Sequence, residues 1–152
     1  LSKISALGNN EENLPKILQQ YEGDLASADQ HLSIKGKFLE QANKENPSWQ
    51  VYYDQRRVEL HTILKYLDAK VQSVRGKLFR SYTESHQREL SDRAKDKYID
   101  NEEKYLTRLH LYLEVKEVYD KYESIVNGFT ARGYALNNIT RARVANVHNT
   151  EL

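Results

Sequence analysis

The chain has 152 residues, about one ordinary domain at roughly 100–200 residues each. Only 54 of them, about 36%, are aliphatic, Phe, Trp or Gly, against roughly 45–50% in a typical globular domain, so one thick core is excluded. Six glycines and two prolines are too few to build the turns of a sandwich or barrel, and an all-β fold is excluded with them. The net charge of +1 is neutral on polyanionic partners, so any such argument has to be local. The absence of cysteine removes disulfides, thiolate metal sites and thiol nucleophiles. No apolar run reaches the length of a membrane span or a signal-peptide core, and the expected setting is soluble and cytoplasmic. With no methionine and an opening at Leu1, the true start is expected upstream or trimmed.

In chain order, residues 1–12 are expected to form a flexible N-terminus. Asn13 is positioned to cap a helix, with Pro15 in the first turn, where a missing N–H is harmless. The positions Leu14, Leu18, Tyr21, Leu25, Ala28, Leu32, Lys35, Leu39 and Ala42 then alternate steps of four and three, a seam of period 3.5. Gly23 and Gly36 weaken this helix by about 1 kcal/mol each relative to alanine. The run Glu45-Asn46-Pro47-Ser48 predicts its end, because the residue before proline is pushed out of the α region, and Asn46 offers a new cap. Leu60, Leu64, Leu67, Val71, Val74 and Leu78 repeat the seam, extended backwards through Tyr53 and Trp49. Residues 13–84 thus predict a long antiparallel helical hairpin whose second helix is basic.

Residues 85–100 read as a polar connector, with a short helix capped by Ser91. Asp100 and Glu103 have the spacing of a capping box and open a third series, Leu111, Val115, Val118, Tyr122, Ile125 and Phe129. Gly133 is expected to stop that helix in a left-handed turn. Tyr134 to Val144 follow as a short C-terminal helix closing a 101–146 segment, and 147–152 as a tail. The architecture expected is all-α, coiled-coil-like and oligomeric, with stripes wider than one hairpin covers.

Charge is unevenly spread. Between residues 56 and 80 lie Arg56, Arg57, Lys65, Lys70, Arg75, Lys77 and Arg80 against only Glu59 and Asp68. Rings are interleaved at Trp49, Tyr52, Tyr53, Tyr66, Phe79 and Tyr82. Cations that neutralise phosphates, combined with rings on which unpaired bases stack, are the ingredients of a single-strand binder. The same residues also serve a purely structural role, with lysine stems covering a seam's edge and tyrosines in the core. The five histidines, His31, His61, His86, His110 and His148, are scattered without metal-ligand spacing, and no phosphate loop is present. No catalytic residue, metal or cofactor is expected.

Ser91-Asp-Arg-Ala-Lys-Asp-Lys-Tyr-Ile-Asp-Asn-Glu-Glu-Lys-Tyr105, Leu113-Glu-Val-Lys-Glu-Val-Tyr-Asp-Lys-Tyr122 and Phe129-Thr-Ala-Arg-Gly-Tyr-Ala-Leu-Asn-Asn-Ile-Thr-Arg-Ala-Arg-Val144 together resemble the C-terminal half of phage UvsY-like recombination mediators. The resemblance covers about a third of the chain. It implies a small helical subunit, without catalytic activity, that forms a ring-shaped homo-oligomer through its C-terminal segment. Such a subunit binds single-stranded DNA without sequence preference. It helps a RecA-type recombinase load onto strands coated by single-strand-binding protein, inside an infected bacterial host cell. Carried to this chain, it implies an assembly role for Tyr134, Leu136, Ile139 and Val144. The basic helix that precedes the connector occupies the neighbourhood of the family's DNA contacts. The competing expectation is a non-enzymatic coiled-coil scaffold without nucleic-acid binding; a membrane-surface binder is disfavoured by the acidic segments flanking the basic helix.

Overall fold

The computed structural model describes residues 11–85 and 89–145. The expected tail and all of the expected leader except Glu11 and Glu12 lie outside the described residues, as do 86–88 of the connector. Every described element is helical: a 3₁₀ turn at Glu11–Asn13, then α1 (Leu14–Leu25), α2 (Ala28–Leu32), α3 (Leu39–Ser85), α4 (Asp92–Ile99) and α5 (Glu103–Val144).

Five of the expected helix ends and caps differ in the structure. The first helix is not continuous to residue 45. It ends at Leu25, resumes for the five residues of α2, and is followed by a loop in which Gly36 has φ +74°, a left-handed conformation that glycine adopts without a Cβ penalty. Asn13 is itself helical at φ −80° and ψ −12° and makes no side-chain cap, although Pro15 sits in the first turn as expected. Pro47, expected to end a helix, lies inside the 47-residue α3. Gly133, expected to stop one, lies inside the 42-residue α5, which therefore absorbs the short C-terminal helix. Asp100 is the C-cap of α4 and not a box for α5, whereas Ser91 caps α4 as expected, its Oγ accepting from the Ala94 N–H at 3.2 Å.

The chain divides into two compact units, one of residues up to Glu59 together with those from Val118 onward, the other Leu60–Glu117. In the first, α3 and α5 run antiparallel, with Asn43 bonded to Thr140, Gln50 to Thr130 and Arg57 to Tyr119. Helix α1 buries Leu14, Ile17, Leu18 and Tyr21, the 3-1-3 spacing of a helical stripe. The core is aromatic. Tyr53 stacks on Phe129 at 5.4 Å, Tyr122 meets Tyr53 at 6.1 Å and Tyr21 edge-on at 5.9 Å, and all four side chains are fully buried. Their hydroxyls are satisfied: Tyr122 donates to the Tyr21 carbonyl, Tyr21 to Glu59, and Tyr53 lies 2.8 Å from His31 Nδ1.

Both overridden helix breakers, Pro47 and Gly133, belong to this unit, and the residues before them, Asn46 and Arg132, meet. Asn46 Oδ1 accepts from Arg132 Nη1 at 3.1 Å, and its Nδ2 donates to the Phe129 carbonyl at 3.3 Å. A Cβ added to Gly133 would stand 3.1 Å from that same Nδ2. Arg132 also donates to the carbonyls of Ala42 and Leu32, joining the end of α2 and the start of α3 to α5. Such tertiary contacts outweigh the local cost of about 3 kcal/mol for a proline inside a helix.

The second unit is aliphatic. Leu60, Ile63, Leu64, Leu67 and Val71 of α3 are buried, with Ile99 of α4 and Val115 of α5. Val74 and Leu78 continue the stripe half-buried.

Candidate nucleic-acid interface

The seven cations singled out by composition fall into two groups. Arg56 and Arg57, in the first unit, are engaged internally. Arg56 Nε donates to Asp24 at 2.6 Å, and its guanidinium lies 3.6 Å from the centre of the Tyr52 ring. Burial is the largest single influence and pulls its pKa down, but the Asp24 bond together with the charges of Tyr52, Asp24 and Tyr122 outweighs it, so the net shift is upward. Arg57 donates to Asp54 at 2.8 Å and to the Tyr119 hydroxyl, and those bonds raise its pKa. In the second unit Arg75 is held by Asp96 and Asp100, each at 2.9 Å, and its pKa rises through the Asp100 bond foremost.

Lys65, Lys70, Lys77 and Arg80 form the other group. All four are exposed and, among the described residues, make no ion pair. With about 100° per residue, Lys70 and Lys77 point nearly the same way, Arg80 lies about 60° round from Lys77, and Lys65 about 60° further. The arc starts on the flank of the buried Leu60–Leu67–Val71 stripe, about 80° from its centre at Lys70, and runs round to about 140° from it at Lys65. Over the 15 residues from Lys65 to Arg80 the rise is about 22 Å. Asp68 is the one carboxylate within that stretch. Ser73 is an exposed hydroxyl within that stretch; Thr62, Ser81 and Thr83 flank it, and the Thr83 hydroxyl donates to the Phe79 carbonyl at 2.9 Å.

The interleaved rings are mostly structural. Tyr53 is fully buried, and Trp49 and Tyr52 pack edge to face beside it. Phe79 lies under the Lys95 ammonium at 4.8 Å, and Tyr82 stacks on Tyr98 at 5.5 Å while its hydroxyl bonds Glu102. Tyr66 is half-buried beneath Lys70, whose Nζ is 5.2 Å from the ring centre.

The four residues expected to mediate assembly also separate. Leu136 is fully buried in the first unit and Ile139 half-buried, whereas Tyr134 and Val144 are 69% and 80% exposed. Sequence reasoning places Arg132 only in an expected turn and misses its buried role. It is buried with no carboxylate in contact, its Nη2 has no hydrogen-bond partner, and burial lowers its pKa. The signal available was its place in the Arg132 to Leu136 run that carries the family resemblance. Among the described residues no group of three or more His, Cys, Asp or Glu side chains is placed to hold a metal, and no helix is long and apolar enough to cross a membrane. No protein-family model, curated protein or solved structure matches the chain.

Proposed function

We propose that this protein binds single-stranded DNA without sequence preference along the exposed face of α3 between residues 60 and 85, and that it acts without catalysis as a recombination mediator. The observation that carries the reading is the set of four exposed, unpaired cations, Lys65, Lys70, Lys77 and Arg80, on one side of one helix. The exposed Ser73 hydroxyl between them adds a phosphate donor. The Arg132 to Leu136 run, resembling UvsY-like mediators, supports the recombination context, with a RecA-type recombinase and single-strand-binding protein as partners.

In this reading each subunit offers a few weak phosphate contacts. Repetition around a homo-oligomeric ring raises the effective concentration of the next contact, so that one strand wraps several subunits. A wrapped strand is bent and partly stripped of its earlier protein coat, which gives the recombinase a place to nucleate. Tyr134 and Val144 are the C-terminal side chains open to a neighbouring subunit.

Fluorescence anisotropy with a labelled oligonucleotide at low salt tests the reading. Binding is expected to weaken with salt at a log–log slope of about −0.7 per phosphate contacted. Lys70→Ala with Lys77→Ala should lower affinity about tenfold or more on every sequence and leave the mass in solution unchanged. Equal affinity in that double variant at every salt concentration removes this face from the reading. The second reading, a scaffold without nucleic-acid binding, draws on the internal pairing of Arg56, Arg57 and Arg75; no anisotropy change at micromolar protein would favour it.

A further inference from the structure

Of the five cations on α3 between residues 60 and 80, Arg75 alone is paired among the described residues, and its partners are Asp96 of the short helix α4 and Asp100, the C-cap of that helix. Nη1 donates to Asp100 Oδ1 and Nη2 to Asp96 Oδ1, each at 2.9 Å, with the guanidinium 5.2 Å from the centre of the Tyr105 ring. Two oxygens from side chains four residues apart fill the guanidinium fork as the two free oxygens of a phosphodiester would. The arrangement is open: Asp96 and Asp100 keep 51% and 57% of their side-chain exposure, and exposed ion pairs are individually weak and screened by salt. Besides this ion pair, α4 meets α3 through Lys95 over the Phe79 ring at 4.8 Å and Tyr98 stacked on Tyr82 at 5.5 Å. Of its eight residues only Ile99 and Lys95 are buried. The serine cap that starts α4 is a bond within that segment, between Ser91 and Ala94.

We infer that α4 is a displaceable internal counter-ion, whose Asp96 and Asp100 withhold Arg75 from the basic face until a phosphate backbone competes for the guanidinium. The inference rests on the reading of α3 as a single-strand binder. It makes affinity depend on two carboxylates that touch no DNA, and it gives a bound strand a way to loosen α4. Once released, Arg75 extends the track on the side of the helix where Asp68 lies, beyond Lys65.

The test uses the full chain and a labelled oligothymidylate. Asp96→Asn with Asp100→Asn should tighten binding about fivefold and steepen the salt slope by about 0.7, one further phosphate contact. Arg75→Ala should change affinity less than about twofold in the parent protein and abolish the gain in the double-asparagine background. Glu89→Gln with Asp92→Asn removes the same two charges without touching Arg75 and should give a smaller gain. A fold-independent measurement accompanies these: amide exchange over residues 92–99 of the unsubstituted protein should accelerate at saturating oligonucleotide. Binding by the parent with no gain beyond the charge control, no reversal by Arg75→Ala, or unchanged exchange in α4 overturns the inference and leaves the binding reading standing. No binding by the parent overturns both.

Discussion

Arg132 in the first unit and Arg75 in the second are both held by oxygen atoms, and they are held in opposite ways. Arg132 is 6% exposed, bonded only to uncharged acceptors, the carbonyls of Leu32 and Ala42 and the amide of Asn46. Arg75 sits at the surface between two carboxylates. The first unit turns Arg132 and Asn46 inward, where each missing partner is costly; the second keeps an aliphatic interior and holds Arg75 between carboxylates that are half open to solvent. The lesson is that a cation's sequence neighbourhood does not decide its use. What decides it is which helix end or carboxylate the fold brings to it.

Replacing each arginine with methionine breaks the comparison most sharply. Arg132→Met should destabilise by about 2–4 kcal/mol, because buried acceptors around Leu32 and Asn46 lose their donor. Arg75→Met should cost no more than about 1 kcal/mol, the range of exposed pairs. Denaturant midpoints at one pH measure both. Equal losses would mean that Arg132 is not the tie between α2, α3 and α5.

The glycines make a finer contrast. Gly76 has nothing within 4 Å of an added Cβ, so Gly76→Ala in the middle of α3 should stabilise by about 0.5–1 kcal/mol through helix propensity alone. Gly133 meets Asn46 Nδ2 at 3.1 Å, so the larger Gly133→Val should cost about 1–3 kcal/mol through crowding of the Asn46–Arg132 contact. Thermal melts of the two variants should move in opposite directions. A stabilising Gly133→Val would show that Asn46 yields freely.

The same residues explain what was and was not readable in the sequence. Seam periodicity found the buried faces of α1 and α3, and the polar start of α4 was readable because Ser91 caps it through a bond three residues away. Pro47 and Gly133 were misread as breaks because local rules are blind to a partner 86 residues off, the separation of Asn46 from Arg132. The candidate interface followed the same division. Lys65, Lys70, Lys77 and Arg80 stand out by composition and stay exposed, whereas the pairing of Arg56 and Arg75 depends on where Asp24, Asp96 and Asp100 arrive in space.

The smallest effect expected comes from His31, on the five-residue α2 of the inward-turned unit. Its ring stacks on Trp49 at 3.5 Å and 12°, and its Nδ1 faces the hydroxyl of the fully buried Tyr53. Burial lowers its pKa, the Lys37 ammonium lowers it further, and Glu45 opposes them. A histidine with a folded pKa below its unfolded value of about 6.5 takes up protons more readily when unfolded. Its contribution to stability is therefore complete above that value and is lost as pH falls through about 6.5 toward the lower folded pKa. The melting temperature should drop modestly between pH 7 and pH 5, and His31→Gln should remove that part of the drop. Trp49 is the sole tryptophan, so its fluorescence reports the same titration directly. A transition in Trp49 emission at or above pH 6.5, or one that survives His31→Gln, would mean that the stacked pair does not carry the pH dependence of this unit.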